Sequence, residues 1–233
     1  MSLGADTDFS HRCLGGPTDT DIANAPEWDQ HLLEMHRKVS DPDGPTDKQL
    51  VSISGSATPE FVKTRIRDTL LSGTLFSEFD TVSASDRNQL REYMLETLTQ
   101  DGWTIDGLAD QLQQIDGLED RDKAETIART ESSAVINTSR ENGYKEQGKG
   151  DGKFYWTGAE PGDRRQTEAC EWLIRKTNPF HGGTPVSLER LRELVEEAPE
   201  HDEDMQDNLA RPEVWVVHPN ERSTFAKAPA AEI

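Results

Sequence analysis

Two residues in the C-terminal half of the chain are of the types that form a nucleophile and a base. Cys170 and His218 could make a cysteine–histidine pair, in which the imidazole activates the thiol. One cysteine with a histidine elsewhere in the chain is weak evidence for such a site. The GKGDGK segment (148–153) lacks both the Walker A spacing and the apolar strand that precedes a phosphate-binding loop. We therefore expect no enzyme, and a metal-dependent or Cys-His hydrolase acting in host entry is the alternative.

An acidic side chain stands where the sequence predicts the core face of a helix. Between Lys123 and Gly148, one side of the helix carries Ala124, Ile127, Ala128, Ala134, Val135 and Thr138. Glu131 lies at the centre of this stripe, and an ionised carboxylate in a core requires a paired donor. We expect that donor to come from the C-terminal half, with Arg222 as the first candidate and Arg164 or Arg165 as the second.

The opposite side of the same helix carries arginines. Arg129 and Arg140 fall there, so this helix should have packing partners on both faces and form the centre of the main domain. We predict that Arg129 is free to pair with Glu125, one turn back, or with a partner protein. The acids just before the helix favour its N-terminus, and Gly143 or Gly148 can end it.

Shorter apolar stripes predict several further helices. Their expected N-caps are Thr58 (before Pro59), Ser85, Thr104 and Ser187. Glu168 to Lys176 is also expected to be helical, and two short strands are predicted at Phe154–Thr157 and Val214–Val217. The fold class is therefore α+β: mainly helical, with a long central helix and a small antiparallel sheet in the C-terminal half.

The composition is strongly acidic. The formal net charge is -20 and the acidic residues are spread along the whole chain. Dispersed like charges repel at low salt and are screened at high salt, so we expect a protein of a salt-rich cytoplasm, as in halophilic archaea, whose folding weakens on dilution to physiological salt. An ordinary acidic protein is the alternative. The charge argues against broad nucleic-acid binding.

The sequence shows no long apolar run of the kind that spans a membrane and no signal peptide. Its two cysteines are too few for a disulfide framework.

The N-terminal region differs from the rest in composition. Residues 1–57 are rich in Asp, Gly, Pro, Ser and Thr, which predicts an extended arm that orders against a partner, with a disordered leader as an equal alternative. One short helix is predicted within it, from Glu27 to Val39. His31 and His36 are five residues apart, so they lie on different helix faces and make no metal pair. We divide the remainder into a helical region (58–116), a main domain (117–227) and a tail (228–233).

Four sequence features follow one another in an order that resembles a known family. They are IARTE (Ile127–Glu131), an aromatic strand with Trp156, DRRQTEAC (Asp163–Cys170) and VHPNERST (Val217–Thr224). The order is similar to that of the head morphogenesis family of tailed viruses, the minor head proteins like protein F of phage Mu. In that family an A-R-T-E helix precedes a tryptophan-containing strand, a C-x-x-C and an H-P-N-C-R-C. The likeness covers about Trp103 to Phe225.

The resemblance implies a minor structural head protein, bound near the portal inside the capsid and acting in head assembly or DNA packaging and delivery. It implies assembly in the host cytoplasm, a virion location, the portal protein as partner, the major capsid or scaffold protein as a further candidate, and no membrane. With the acidic composition it implies a virus of halophilic archaea. The matched structural motif residues are Arg129, Glu131, Trp156, Arg164, Arg165, His218, Asn220 and Arg222. Of these, Arg164 and Arg165 are the candidates for contact with packaged DNA, although such a pair more often binds carboxylates.

The cysteine motifs of the family are incomplete in this chain. Three matched cysteine positions hold other residues, namely Thr167, Glu221 and Ser223. Cys170 and His218 remain as weak metal candidates, with His181 or Glu221 as a third ligand. Zinc in a closed structural site takes four ligands, mostly Cys and His. We therefore expect that hydrogen bonds and packing replace the metal, that no cofactor is needed, and that the purified protein carries well under one zinc per chain.

Overall fold

Eight α-helices and a two-stranded antiparallel sheet form the described part of this computed structural model, which confirms the predicted fold class. The structure describes residues 17–40, 59–71, 84–100, 103–158, 167–203, 205, 210–219 and 223–229. The helices are α1 (Asp19–Asn24), α2 (Glu27–Ser40), α3 (Glu60–Leu71), α4 (Ala84–Leu98), α5 (Ile105–Leu112), α6 (Arg121–Glu146), α7 (Glu168–Thr177) and α8 (Leu188–Glu197). The strands are β1 (Phe154–Thr157) and β2 (Thr224–Lys227).

The central helix α6 is bounded by ordinary capping chemistry. The Asp120 side chain accepts a hydrogen bond of 2.8 Å from the Lys123 amide, which satisfies one of the free N–H groups of the first turn. The helix ends before Gln147, and Gly148 follows in the left-handed region at φ 63°. Gly143, the other predicted end, lies inside the helix. A Cβ there would stand 2.4 Å from the Trp28 ring, so this glycine allows α2 to approach.

Two hydrophobic cores share α6. The first lies among helices α2 to α6 and includes Leu32, Ile66, Met94, Leu108, Leu112, Ile127 and Val135. The second joins the end of α6 to the sheet, α7 and α8, and includes Tyr144, Phe154, Trp156, Leu173, Leu191, Trp215 and Phe225. Because α6 lies between the two cores, every residue from Ile127 to Glu141 is buried.

The N-terminal region is folded where the structure describes it. The predicted helix is confirmed as α2, and α2 packs along α6 with Leu32 and Leu33 fully buried. Helix α1 begins with a capping box in which Thr18 and Asp21 bond each other's amides. Residues 17–40 are therefore not an extended arm, because their apolar face is part of the first core.

The sheet pairs β1 with β2, with Phe154 opposite Lys227 and Thr157 opposite Thr224. Strand β1 is as predicted, but the strand predicted at Val214–Val217 is wrong. Pro212 starts a 3₁₀ turn there, and Trp215 adopts the left-handed conformation at φ 63°, which reverses the chain. That segment contributes only an isolated bridge between Arg211 and Val216.

The predicted helix starts have mixed outcomes. Thr104 and Ser187 are N-caps, accepting hydrogen bonds from the amides of Gly107 and Arg190. Ser85 is not a cap, because α4 begins one residue earlier. Thr58 lies outside the described residues. The helix predicted from Glu168 is confirmed as α7, with Thr167 as its N-cap.

Candidate functional site: a buried polar network on the central helix

The central helix buries many polar side chains. Those without exposed surface include Glu131, Ser132, Ser133, Asn137, Ser139 and Arg140. A buried polar group costs free energy unless it is hydrogen-bonded, so the partners of these residues are the segments that α6 holds. The partners come from α2, α3, the segment around Arg211 and β2, and we call these contacts together the buried network.

Arg140 and Asp29 form the centre of this network. The Arg140 Nε–Asp29 Oδ1 distance is 2.6 Å and the Nη2–Oδ2 distance is 2.9 Å, so the pair is bidentate. Both side chains are fully buried. The Tyr144 hydroxyl donates to the same Oδ2 at 2.7 Å. This arrangement fixes α2 to α6 through a neutralised charge pair.

The same guanidinium also binds the sheet. Arg140 Nη1 donates to the Thr224 hydroxyl at 2.7 Å and to the Phe225 carbonyl at 2.5 Å. The Thr224 hydroxyl in turn donates to Asn137 Oδ1. The guanidinium carbon lies 4.4 Å from the centre of the Phe225 ring, within cation–π distance. One side chain of α6 therefore holds α2 and β2 together.

These contacts shift the pKa values of the groups involved. Burial alone lowers the pKa of Arg140, but the charge and hydrogen bonds of Asp29 outweigh it, so the net shift is upward and the guanidinium stays charged. Burial, reinforced by the Asp29 charge, raises the pKa of Tyr144. The tyrosine therefore remains a neutral hydrogen-bond donor.

A histidine extends the network toward the N-terminal side. His36 Nε2 lies 2.9 Å from the Ser133 hydroxyl, and Nδ1 lies 3.2 Å from the Ser40 hydroxyl. Burial, with the nearby charge of Arg140, lowers the pKa of His36 to about 3. The imidazole is therefore neutral near pH 7 and joins α2 to α6 without adding charge.

Glu131 is fully buried and meets a donor from the C-terminal half, as predicted, and Arg211 is such a donor. The Arg211 Nη2–Glu131 Oε1 distance is 2.6 Å. Arg211 was not among the predicted candidates. Those candidates, Arg164, Arg165 and Arg222, lie outside the described residues, as does Asn220.

Arg129 was predicted to be free to pair with Glu125 or with a partner protein, and the structure places it elsewhere. It is buried and donates to the carbonyl of Val39 near the end of α2. Glu125 instead accepts a hydrogen bond of 2.6 Å from Arg121. The reason is that α2 covers this side of α6, so the arginine completes a helix C-terminus.

Two further acids join the network from its edges. Glu141 bonds Arg192, and it accepts a hydrogen bond of 3.0 Å from the Trp215 indole nitrogen. Asp21 of α1 accepts hydrogen bonds from the Tyr155 hydroxyl and from the Thr157 hydroxyl, the latter at 3.2 Å. Each of these buried carboxylates thus joins segments that are distant in sequence.

The remaining predicted residues lie in the second core or on the surface. Trp156 and Cys170 are fully buried, and the Trp156 amide donates to the Thr177 hydroxyl at 2.8 Å. His218 is mostly buried and its Nδ1 donates to the Pro219 carbonyl at 2.6 Å. His181 is exposed. In the described ranges, no three His, Cys, Asp or Glu side chains are grouped to hold a metal ion.

Sequence reasoning missed several members of the network, above all Asp29, Asn137, Arg211 and Thr224. One indication was available, since an arginine at position 140 on a face predicted to pack requires an acid. The sequence does not say which acid, because Asp29 stands 111 positions away from Arg140.

Across the described part of the chain, no helix combines the length and the apolar character needed to cross a membrane. Comparisons with protein-family models, curated proteins and solved structures found no match to this chain.

Proposed function

We propose that this protein is a minor structural head protein of a tailed virus of halophilic archaea. It binds near the portal inside the capsid and acts in head assembly or in DNA packaging and delivery. The proposal starts from the ordered sequence motifs and their resemblance to minor head proteins. The acidic composition supports the halophilic host.

One observation carries the proposal further. The IARTE motif lies on α6, and VHPNERST ends at Thr224, the first residue of β2. The Thr224 hydroxyl accepts from Arg140 and donates to Asn137, both on α6. The segment that holds the second motif is therefore fixed to the same helix that carries the first, about two to three turns further along it. Packing of both segments on one helix is expected of a single structural module, and it gives a reason for the two motifs to occur in one chain.

The chemistry of the network favours a structural role over catalysis. Arg140 is satisfied by Asp29 and by β2, and Glu131 is bonded to Arg211. A general base or nucleophile has to reach a substrate, whereas these groups are enclosed by protein. Cys170, the nucleophile of the alternative hydrolase, is also fully buried.

The location of the protein tests the proposal. Procapsids, heads and mature virions are purified from infected cells, and each fraction is analysed by quantitative mass spectrometry with the portal protein as reference. We expect this chain to co-purify with the portal at a fixed ratio in at least one of these particles. Absence from all of them, together with an enzymatic activity in the host cytosol, would overturn the proposal and favour the hydrolase.

A further inference from the structure

Helix α1 is attached to the fold differently from the other helices. Alone among the eight helices of the described residues, it contributes no residue to either hydrophobic core. Its one buried residue is an acid, Asp21, and Ile22 is only half-buried. With six residues, α1 is too short to be a stable helix by itself. Polar contacts, more than apolar packing, therefore hold it in place.

Asp21 fastens α1 to the outer face of the sheet. One carboxylate oxygen accepts a hydrogen bond from the Tyr155 hydroxyl, and the other accepts from the Thr157 hydroxyl at 3.2 Å. Tyr155 and Thr157 are two positions apart on β1, so their side chains lie on the same face of the sheet. Burial, reinforced by the Asp21 charge, raises the pKa of Tyr155, and its hydroxyl remains a neutral donor.

The charges enclosed beneath α1 are not balanced. The charges of Asp29 and Asp21 both raise the pKa of Arg140, but the ion pair of this arginine is with Asp29. Within the described residues, the Asp21 carboxylate is bonded by two hydroxyls and by the Thr18 amide, and by no cation. A buried carboxylate without a counterion keeps a large desolvation cost. Release of α1 would return this charge to water and so offset part of the lost hydrogen bonding.

The junction between α1 and α2 is suited to act as a hinge. Ala25 has extended dihedral angles, φ -78° and ψ 151°, and a proline follows it. Gln30 Nε2 donates to the Ala25 carbonyl at 3.0 Å, which keeps Ala25 with α2. At the other end of α1, Arg37 binds the Pro17 carbonyl at 3.1 Å and Asp19 at 2.8 Å. The Asp19 side chain is 96% exposed, and ion pairs of that kind contribute little to stability.

We propose that residues 17–24, which we name the strap, open about Ala25 while the rest of the fold stays closed. The strap belongs to neither core, so opening exposes little apolar surface. It also leaves the Arg140–Asp29 pair intact, because both residues lie outside the strap. Local opening of this kind needs much less free energy than unfolding of the whole chain.

The open strap uncovers a face that can bind a carboxylate. The Tyr155 and Thr157 hydroxyls, which bond Asp21 in the closed state, then face solvent. The Tyr155 ring lies 6.0 Å from the ring of Phe180, which is exposed. The closed strap therefore covers an aromatic face with two hydroxyl donors, and Asp21 fills it as a ligand from the same chain.

Hydrogen exchange of the full chain in molar salt, followed by mass spectrometry, tests the strap. The amides of residues 18–24 should exchange at least about 100-fold faster than those of the buried α2 residues Leu32 and Leu33, because the strap opens without global unfolding. Equal protection of the two segments would overturn the proposal, since α1 would then leave its place only when the whole chain unfolds.

Two variants test the role of Asp21 as the fastening. Asp21→Ala should bring the strap amides close to the exchange rate of an unstructured chain, while α2 keeps at least about 100-fold protection. Asp19→Ala is the matched control on the same helix and should change strap exchange by less than about threefold, because its ion pair is exposed. Unchanged strap exchange in Asp21→Ala, or protection lost from α2 together with the strap, would overturn the proposal.

Discussion

Two buried ion pairs hold the central helix, and they differ in how completely the charge is enclosed. Arg140 and Asp29 have no exposed side-chain surface, share two hydrogen bonds, and are joined by Tyr144 and β2. Arg211 retains 8% exposure where it meets Glu131. Glu131, which belongs to the IARTE motif, is thus a member of the less enclosed pair.

The difference follows from the number of segments that each arginine joins. Arg211 connects its own loop to α6. Arg140 connects α2, α6 and β2, and its loss would leave Asp29 charged and without its counterion in a closed space. We therefore expect the stability of the fold to be more sensitive at Arg140 than at Glu131.

The largest effect is expected for Arg140→Met. Removing one partner of a buried pair typically costs about 3–5 kcal/mol, because the other charge stays buried. The free energy of unfolding, measured by urea denaturation in molar salt, should fall by about that amount. The double variant Asp29→Asn with Arg140→Met should recover part of the loss. A loss below about 1 kcal/mol is typical of exposed ion pairs. It would contradict the view that the Arg140–Asp29 pair stabilises the fold more than the Arg211–Glu131 pair does.

Glu131→Gln should cost less, about 2–3 kcal/mol in the same assay. The lower figure reflects the partial exposure of Arg211, whose charge water can reach after the carboxylate is removed. Arg211→Met is the matched variant and should be more damaging than Glu131→Gln, because it leaves the fully buried acid. If Glu131→Gln proved more destabilising than Arg140→Met, the Arg211–Glu131 pair would contribute more to the free energy of unfolding than the Arg140–Asp29 pair, contrary to this prediction.

The pH dependence should come partly from His36. Its pKa falls from 6.5 to about 3 on folding, so the folded state excludes a proton that the unfolded chain binds. The stability from this group is complete above pH 6.5 and is lost as the pH falls toward 3. Between pH 6.5 and 5 the loss should be about 1.6 kcal/mol, because the slope rises to 1.36 kcal/mol per unit only once the unfolded histidine is fully protonated. His36→Asn should show a flatter profile over this interval; an unchanged slope would contradict the assignment.

The smallest effect is expected for Gly143→Ala. The new Cβ would lie 2.4 Å from the Trp28 ring and displace the residue next to Asp29. Overpacking of this kind costs about 1–3 kcal/mol, and the gain in helix propensity offsets up to about 1 kcal/mol of it. Gly150→Ala is the control, because the nearest atom to its new Cβ would be Lys145 Cγ at 3.7 Å. Equal melting temperatures for the two variants would show that α2 does not rest on α6 as tightly as described.

The sequence predicted what depends on local pattern. The stripe around Glu131 correctly indicated a buried acid, a donor from the C-terminal half and partners on both sides of α6. Prediction from the sequence failed where contact with a distant segment determines a side chain's partner or the backbone conformation. Arg129 was expected to be available to Glu125 or a partner protein because nothing in its neighbourhood shows that Val39 covers it. The strand predicted around Trp215 has the right apolar residues, but the left-handed turn depends on tertiary packing.

The distance along the chain between Asp29 and its partners also governs when the protein becomes stable during synthesis. Asp29 leaves the ribosome long before Arg140, and Arg140 gains its remaining partners only after Thr224 and Phe225 have emerged. The N-terminal helices therefore carry the Asp29 carboxylate without its counterion until the 111 positions that separate it from Arg140 have been synthesised. Non-local contacts of this kind slow folding, because the intervening chain must be ordered first. The network of this protein can accordingly close only after β2 has emerged and bonded Arg140.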